Sequence, residues 1–514
     1  LNDKCNIEGC NRDCFQDSNQ CVLHCDKHDY STDYYNISIL RNFYDELIDY
    51  IIESILEFRR IQVDNKELLR EYLRSGEASE EIRDLFKDEV IVFNLIFFPC
   101  RDARDKFDYL RVLTQLKGIH FNYCSFSATS LNIQDVQVFY QDCNFKQYWM
   151  IQNTSLLENV NNVIYQSCIF NNEVSISAWD GDNTLGIALF TDCIFHQKLS
   201  FENMIFENKI FINSNDSEIE IGALRITKCV LQDDFILNNL NARSILIKNT
   251  EFKSKFEMKD SHIAMMFEAK NTNFEGMFDV QDSKFGGFEC FKCVFSNVAS
   301  FEHCNFSVGR DCIDCMAIFK YTTFLSFTSF RNSRFHLGLD LENANLKEVP
   351  NFLNIQLLSD NTNRETLRII KNSFDKIGNH IDANDFFVKE MKKYKQELSR
   401  QGGNWQERII LWFNEKASNF GQSYIKPIVW MLLMAIFYSG LIYAQENDYL
   451  YRMYPPFNNV FSWLSQSINN IAKNIIPFKS FAKEGMEFLS LIFYIMFASL
   501  TWQTIVAFKR HTKR

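Results

Sequence analysis

Cysteine and histidine open the chain at spacings that suit a metal. Cys5, Cys10, Cys21 and His24 read Cys-x4-Cys-x10-Cys-x2-His. Zinc takes four thiolate or imidazole ligands in a tetrahedron, and two short-spaced pairs supply them from few residues. A segment this short has no core of its own, so bound metal would hold it together. The expected cofactor is therefore a structural Zn2+. Cys14, Cys25 and His28 are further candidates, and the ligand set stays open at this level. A catalytic zinc is disfavoured, because no general base stands nearby as the Glu does in His-Glu-x-x-His.

A second cysteine set has zinc-ribbon spacing: Cys290 and Cys293, then Cys312 and Cys315. Cys293, however, sits where a repeating strand pattern turns a small residue inward, which leaves no knuckle for a metal. No Ser/His/Asp arrangement and no glycine-rich phosphate loop stands out, so the expectation is a protein that is not an enzyme. The third group is polar without being charged. From 457 to 475, Phe457, Val460, Phe461, Leu464, Ile468, Ile471 and Ile475 recur at helical spacing. The opposite face carries Ser462, Ser465, Gln466 and Asn469 among other amides and hydroxyls. Ordinary interfacial helices carry Lys and Arg there. An uncharged polar face suits a re-entrant helix that is buried or lines a wet cavity. Together with Gln503 these four residues are the candidate pore-lining set.

The elements that hold these groups are set by two periodicities. Leu40, Phe43, Tyr44, Leu47, Ile51 and Ile55 recur at helical spacing, and Val90 begins an apolar run like a buried strand. From about 118 to 350 a repeat takes over. Asp142-Cys143-Asn144-Phe145, Ser167-Cys168-Ile169-Phe170, Asp282-Ser283-Lys284-Phe285 and His303-Cys304-Asn305-Phe306 share a small residue two before a large apolar one. Residues i and i+2 of a strand face the same side, so both point inward. Between Phe274 and Phe306 the steps are 11, 10 and 11; Phe145, Phe170 and Phe195 are 25 apart. These read as half and whole turns of a coil. Stacked coils would place Phe on Phe and Cys on Cys in a β-solenoid with a narrow continuous core. The cysteines then act as small core hydrophobes.

Ala344-Asn345-Leu346 and Cys304-Asn305-Phe306 carry the pattern small, Asp or Asn, Leu or Phe. Here the chain resembles the bacterial pentapeptide-repeat family. The resemblance implies a right-handed β-helix, and the insertions between coils imply an irregular one. The fold class expected is mainly β with α: an irregular right-handed β-helix flanked by helices, plus two transmembrane helices.

Two apolar stretches, 427–444 and 488–508, are each long enough to cross a ~30 Å hydrocarbon layer as helices. Seven basic residues flank them outside, from Arg408 to Arg514, against four in the loop 445–487. The positive-inside rule then puts both termini in the cytoplasm, at the bacterial inner membrane. The N-terminus carries no secretory signal pattern. A formal charge of −11 argues against nucleic acid as a partner. The layout read from these signals is a Cys/His knuckle (1–30), a helical region (31–117), the solenoid (118–350), a helical hairpin with amphipathic linker (351–422) and the membrane hairpin (423–514). The function expected is an oligomeric pore or channel-like effector gated by a cytoplasmic β-helix, which binds an unidentified cytosolic protein or ligand. The alternative is a membrane-anchored interaction scaffold without pore activity.

Overall fold

The computed structural model describes residues 4–26, 37–60, 66–77, 79–87, 89–101, 106–131, 133, 136–151, 155–157, 162–177, 183–212, 218–307, 316–358, 360–400, 404–446, 464–471 and 482–512. The chain forms two units, Leu1–Asn361 and Thr362–Arg514.

The first unit is a parallel β-solenoid with helices at its N-terminal end. One path stacks twelve strands from Phe97–Phe98 to Gln356–Leu357, and three further sheets form the other sides. Register between coils is 21 or 22 residues in the regular part: Ile219 pairs with Leu240, His262 with Lys284 and Thr323 with Asn345. Upstream coils are longer, with Phe145 on Phe170 and Phe170 on Phe195. The last coils show how the repeat works. Strands start at Thr323, Thr328, Arg334, Leu339 and Asn345, so sides of five and six residues alternate. The longer sides end at a corner residue in the left-handed region, such as Asn332 (φ 58°) or Asn343 (φ 57°). Asn and Asp tolerate that conformation best among residues with a Cβ. The first residue of each repeating tetrapeptide is this corner: Asp142, Ser167, Asp192, Asn271, Asp282 and His303 all have φ between 49° and 58°.

The next residue is small because it sits under the neighbouring coil and spends its side chain on the turn. Cys168 Sγ donates to Gln166 O (3.3 Å) and to Tyr140 O of the preceding coil (3.5 Å). Ser283 Oγ does the same with Gln281 O and Met258 O, at 3.2 and 2.9 Å. Burial pushes the Cys143, Cys168 and Cys193 thiols well up, so they remain neutral core groups. Two residues on, the phenylalanines stack into columns. Phe252, Phe274, Phe295 and Phe324 lie 5.1, 4.9 and 4.9 Å apart with planes within 10°. That spacing is the distance between paired strands. Outside the corners, Asn271 donates to Asn249 (3.2 Å) and Asn354 to Asn332 (3.1 Å).

The solenoid begins earlier than the repeat pattern predicts. Val90–Asn94 pairs with Gly118–Asn122, and Phe97–Phe98 pairs with Ser125–Phe126. Helix Ile37–Arg59 closes this end with a buried row of Phe43, Leu47, Ile51 and Ile55. Phe43 meets Phe98 and Tyr109 edge-on, and Tyr50 stacks on Phe93.

The second unit is helical. Asn363 caps Arg364–Lys376 by accepting from Thr366 N (2.8 Å). Gly378 (φ 79°) turns the chain into His380–Arg400. The amphipathic helix Trp405–Ser418 follows and ends at the left-handed Asn419. Two long apolar helices complete the unit, Ile425–Glu446 and Glu487–Thr512.

Phe295→Ala removes a buried ring from the middle of a column. The expected cost is about 3–5 kcal/mol. Because each coil touches only its neighbours, amide exchange should accelerate most in the strands holding Phe274 and Phe324.

Candidate functional site

The knuckle is built by two turns brought side by side. An antiparallel bridge between Lys4 and Asp13 closes the first, with Cys5 N donating to Arg12 O (2.9 Å). Gly9 (φ 81°) lets the chain reverse before Cys10. Phe15 N donates to Gln20 O (2.9 Å), which delivers Cys21, and His24 and Cys25 turn back on Cys21 O at 3.0 and 2.9 Å.

The side chains converge as the spacing predicts. Cys5, Cys10, Cys21 and His24 present ligand atoms that all lie within 4.8 Å of one another. Cys10 Sγ and Cys21 Sγ are 3.8 Å apart; His24 Nδ1 is 3.5 Å from Cys5 Sγ and 3.2 Å from Cys21 Sγ. Ligands at ~2.3 Å (S) and ~2.0 Å (N) around a tetrahedral zinc would stand about 3.8 Å (S to S) and about 3.5 Å (S to N) apart. The donor set therefore fits a structural zinc ion. It would supply charge neutralisation and a cross-link between the two turns. Burial, the largest influence on Cys5, raises its thiol, but backbone hydrogen bonds from Ile7 and Cys21 together with side-chain hydrogen bonds from Cys10 and Cys21 make the net shift downward. Burial pushes the Cys21 thiol up to about 12. Metal binding must therefore displace a proton from Cys21, and acid should weaken it. Cys25 is buried and donates to Val22 O, turned away from the group, and His28 lies outside the described residues.

The knuckle is anchored on the first coil. Phe97 N donates to Leu23 O (2.8 Å), which occupies the strand edge that another coil would otherwise pair with. Arg12 forks to Glu46 (2.9 Å) and Glu53 (2.7 Å) on helix Ile37–Arg59, and Lys146 reaches Asp26 (2.9 Å).

The second cysteine set is different. Cys290 and Cys293 are buried in the solenoid core, and Cys293 Sγ donates to Ala269 O (3.3 Å). Cys312 and Cys315 lie outside the described residues.

The pore candidates fall in the second unit. Ser462 lies outside the described residues, as does most of the expected helix 457–475. Residues 464–471 are helical, with Ser465 and Gln466 exposed. Asn469 ties that helix to the next one: its Nδ2 donates to Gly485 O (3.0 Å) and its Oδ1 accepts from Phe488 N (3.1 Å). Gln503 is fully engaged. Its Nε2 donates to Asn414 Oδ1 (2.6 Å) and its Oε1 accepts from Ser418 Oγ (2.8 Å). Sequence reading missed this pair, since Asn414 and Ser418 are far along the chain and share no motif with Gln503. The two apolar helices meet at Tyr438, whose hydroxyl lies 2.7 Å from Ser490 Oγ, and at Phe493, 4.7 Å from the Tyr438 ring. Both are long and apolar enough to cross a membrane, and little of either apolar window is buried (11% and 17%). A core helix of a soluble domain would be mostly covered.

Compared with protein-family models, with curated proteins and with solved structures, the chain matches none. The pentapeptide-repeat resemblance therefore rests on the residues themselves.

Two outcomes test these arrangements. Cys21→Ser should abolish bound zinc measured by mass spectrometry of the intact protein, whereas Cys14→Ser should leave one equivalent; equal zinc in both would rule out the ligand set. Zinc affinity should fall as pH drops through the neutral range, because protons compete for the thiolates and His24. Separately, Gln503→Leu takes the donor from Asn414 Oδ1 and one acceptor from Ser418 and should cost about 1–3 kcal/mol, read as faster amide exchange in 405–418.

Proposed function

We propose that this protein is a membrane-anchored recognition scaffold. Its two apolar helices hold it in a bilayer, and its solenoid binds a protein partner on the cytoplasmic side. The observation that carries this reading is the state of the polar groups on helix Glu487–Thr512. Ser490 pairs with Tyr438 and Gln503 with Asn414 and Ser418. Ser499, Thr501 and Thr504 donate to the carbonyls of Ile495, Phe497 and Leu500, one turn back. Polar groups in a span must be satisfied, and Ser490, Ser499, Thr501, Gln503 and Thr504 each find a partner within one chain, without a second copy or a water-filled lumen. Most of the exposed surface of both helices between Lys426 and Lys509 is apolar, including Leu432, Ile436, Ile495 and Trp502.

Solenoids suit recognition because stacked coils present flat, extended faces built from repeated positions. On this one, alternating charges are tied into ladders. Lys259 bridges Glu257 (3.3 Å) and Asp279 (3.0 Å), and Lys270 bridges Glu268 and Glu289. These fix a pattern of charge along the stack that a partner can read by complementarity. The zinc knuckle belongs to the same reading as an end cap, with no catalytic part.

A gated oligomeric pore is the competing reading. It draws on the uncharged polar face around Asn469. Its discriminating test is ion flux through liposomes carrying the full chain, beside a variant lacking 457–475. The scaffold reading expects the protein to float with the liposomes, to resist carbonate extraction, and to pass no more ions than empty vesicles. Flux that disappears on deletion would overturn it in favour of the pore.

A further inference from the structure

The helices of the second unit enclose an apolar cleft of about 190 Å³. The amphipathic helix contributes Trp412 and Lys416, the first apolar helix Trp430 and Met434, and the second Met496 and Leu500. Each pair is four residues apart, so each helix presents one row of a single face. The lining surface is wholly apolar, Lys416 contributing its aliphatic stem while the residue itself stays exposed at the rim. Trp412 and Trp430 stay about half exposed, at 53% and 47%, and open the cleft outward.

The charges around it are sorted. The two carboxylates of helix Trp405–Ser418 are held by the neighbouring helix. Glu407 accepts from the Tyr394 hydroxyl (2.9 Å), and Glu415 pairs with Lys395. The two cations of the same helix, Arg408 and Lys416, have no ion-pair partner among the described residues; the same holds for Lys426 and Lys509. Arg408 and Lys416 lie one turn either side of Trp412 on its face, and Lys426 lies one turn before Trp430. A slot sized for hydrocarbon is thus bordered by Trp and by cations with no protein anion to neutralise them. Tryptophan favours the boundary between acyl chains and headgroups, and unpaired Lys and Arg there attract anionic lipid.

We infer that this cleft is a binding site for an anionic phospholipid, with an acyl chain between Trp412, Trp430 and Met496 and the phosphate at Lys416. The inference rests on the membrane-anchored reading above. The lipid completes the packing of three helices and pins the amphipathic helix at the bilayer surface.

The test is native mass spectrometry of the full-length protein in detergent, titrated with phosphatidylglycerol or phosphatidylcholine. The wild type should retain phosphatidylglycerol in preference. Lys416→Glu should reduce that retention by about fivefold or more, as expected when one cation is removed from beside an anionic headgroup. Met434→Trp, which fills the slot, should reduce retention of both lipids. Equal retention of the two lipids by the wild type overturns the inference, as does a preference that Lys416→Glu and Met434→Trp both leave unchanged. Liposome flotation of the same wild-type protein separates the two levels. Flotation without lipid preference removes the site and leaves the anchor standing; failure to float removes both.

Discussion

Parallel pairing between coils is the interaction on which the rest of the first unit depends. Once one coil lies on the next at strand spacing, each position must tolerate its own counterpart directly above and below. That rule selects Phe columns, because flat rings stack at the same distance as the strands. It favours a Cys, Ser or Thr beside them, because a small side chain fits under the turn and can return a hydrogen bond to it. It also selects Asn and Asp at the corners, where a left-handed residue is needed and an amide can pair with the amide of the next coil. Few glycines are required. Gly286 is one of them: a Cβ there would stand 2.2 Å from Ala264 O on the coil below.

A stack of this kind leaves an open end, and the N-terminal residues are spent on closing it. Helix Ile37–Arg59 covers the aromatic core of the first coil, and the knuckle covers its strand edge through Leu23 O. An uncovered edge is a template for pairing with another chain. The Cys5, Cys10, Cys21 and His24 cluster stands where a bound metal would rigidify the short segment that carries that carbonyl. Its cysteines differ from those of the solenoid for the same reason. Core cysteines face hydrocarbon and backbone carbonyls, whereas Cys5, Cys10 and Cys21 face one another and His24.

The coil period, the inward pair and the knuckle ligands were legible because each is local and repeated. The start of the solenoid was not. In the first coil, Leu95 takes the left-handed corner (φ 57°), Ile96 stands in the small position and Phe98 points inward. The geometry is that of later coils, but neither Asn nor a small residue marks it, since no earlier coil stacks on that side. Tyr123 and Tyr321 hide corners in the same way, at φ 50° and 54°. The pairing of Gln503 with Asn414 and Ser418 was illegible for another reason. It joins residues 89 and 85 apart through tertiary packing alone, and periodicity carries no information about such pairs.

One interruption of the stack shows how tolerant it is. Phe285 pairs with Phe306 at a distance of 21 residues, and Phe306 with Phe335 at 29. The rings of Phe306 and Phe335 nevertheless lie 4.9 Å apart and 2° from parallel. The pairing on either side of the extra residues is undisturbed. Lengthening a loop costs little entropy once its ends are fixed. The solenoid is thus a ruler with detachable marks: its corners can accept foreign segments and later exchange them while the stack below keeps its spacing. Corner loops are therefore where members of such a lineage would diverge first, and where a reporter could be grafted with the frame intact.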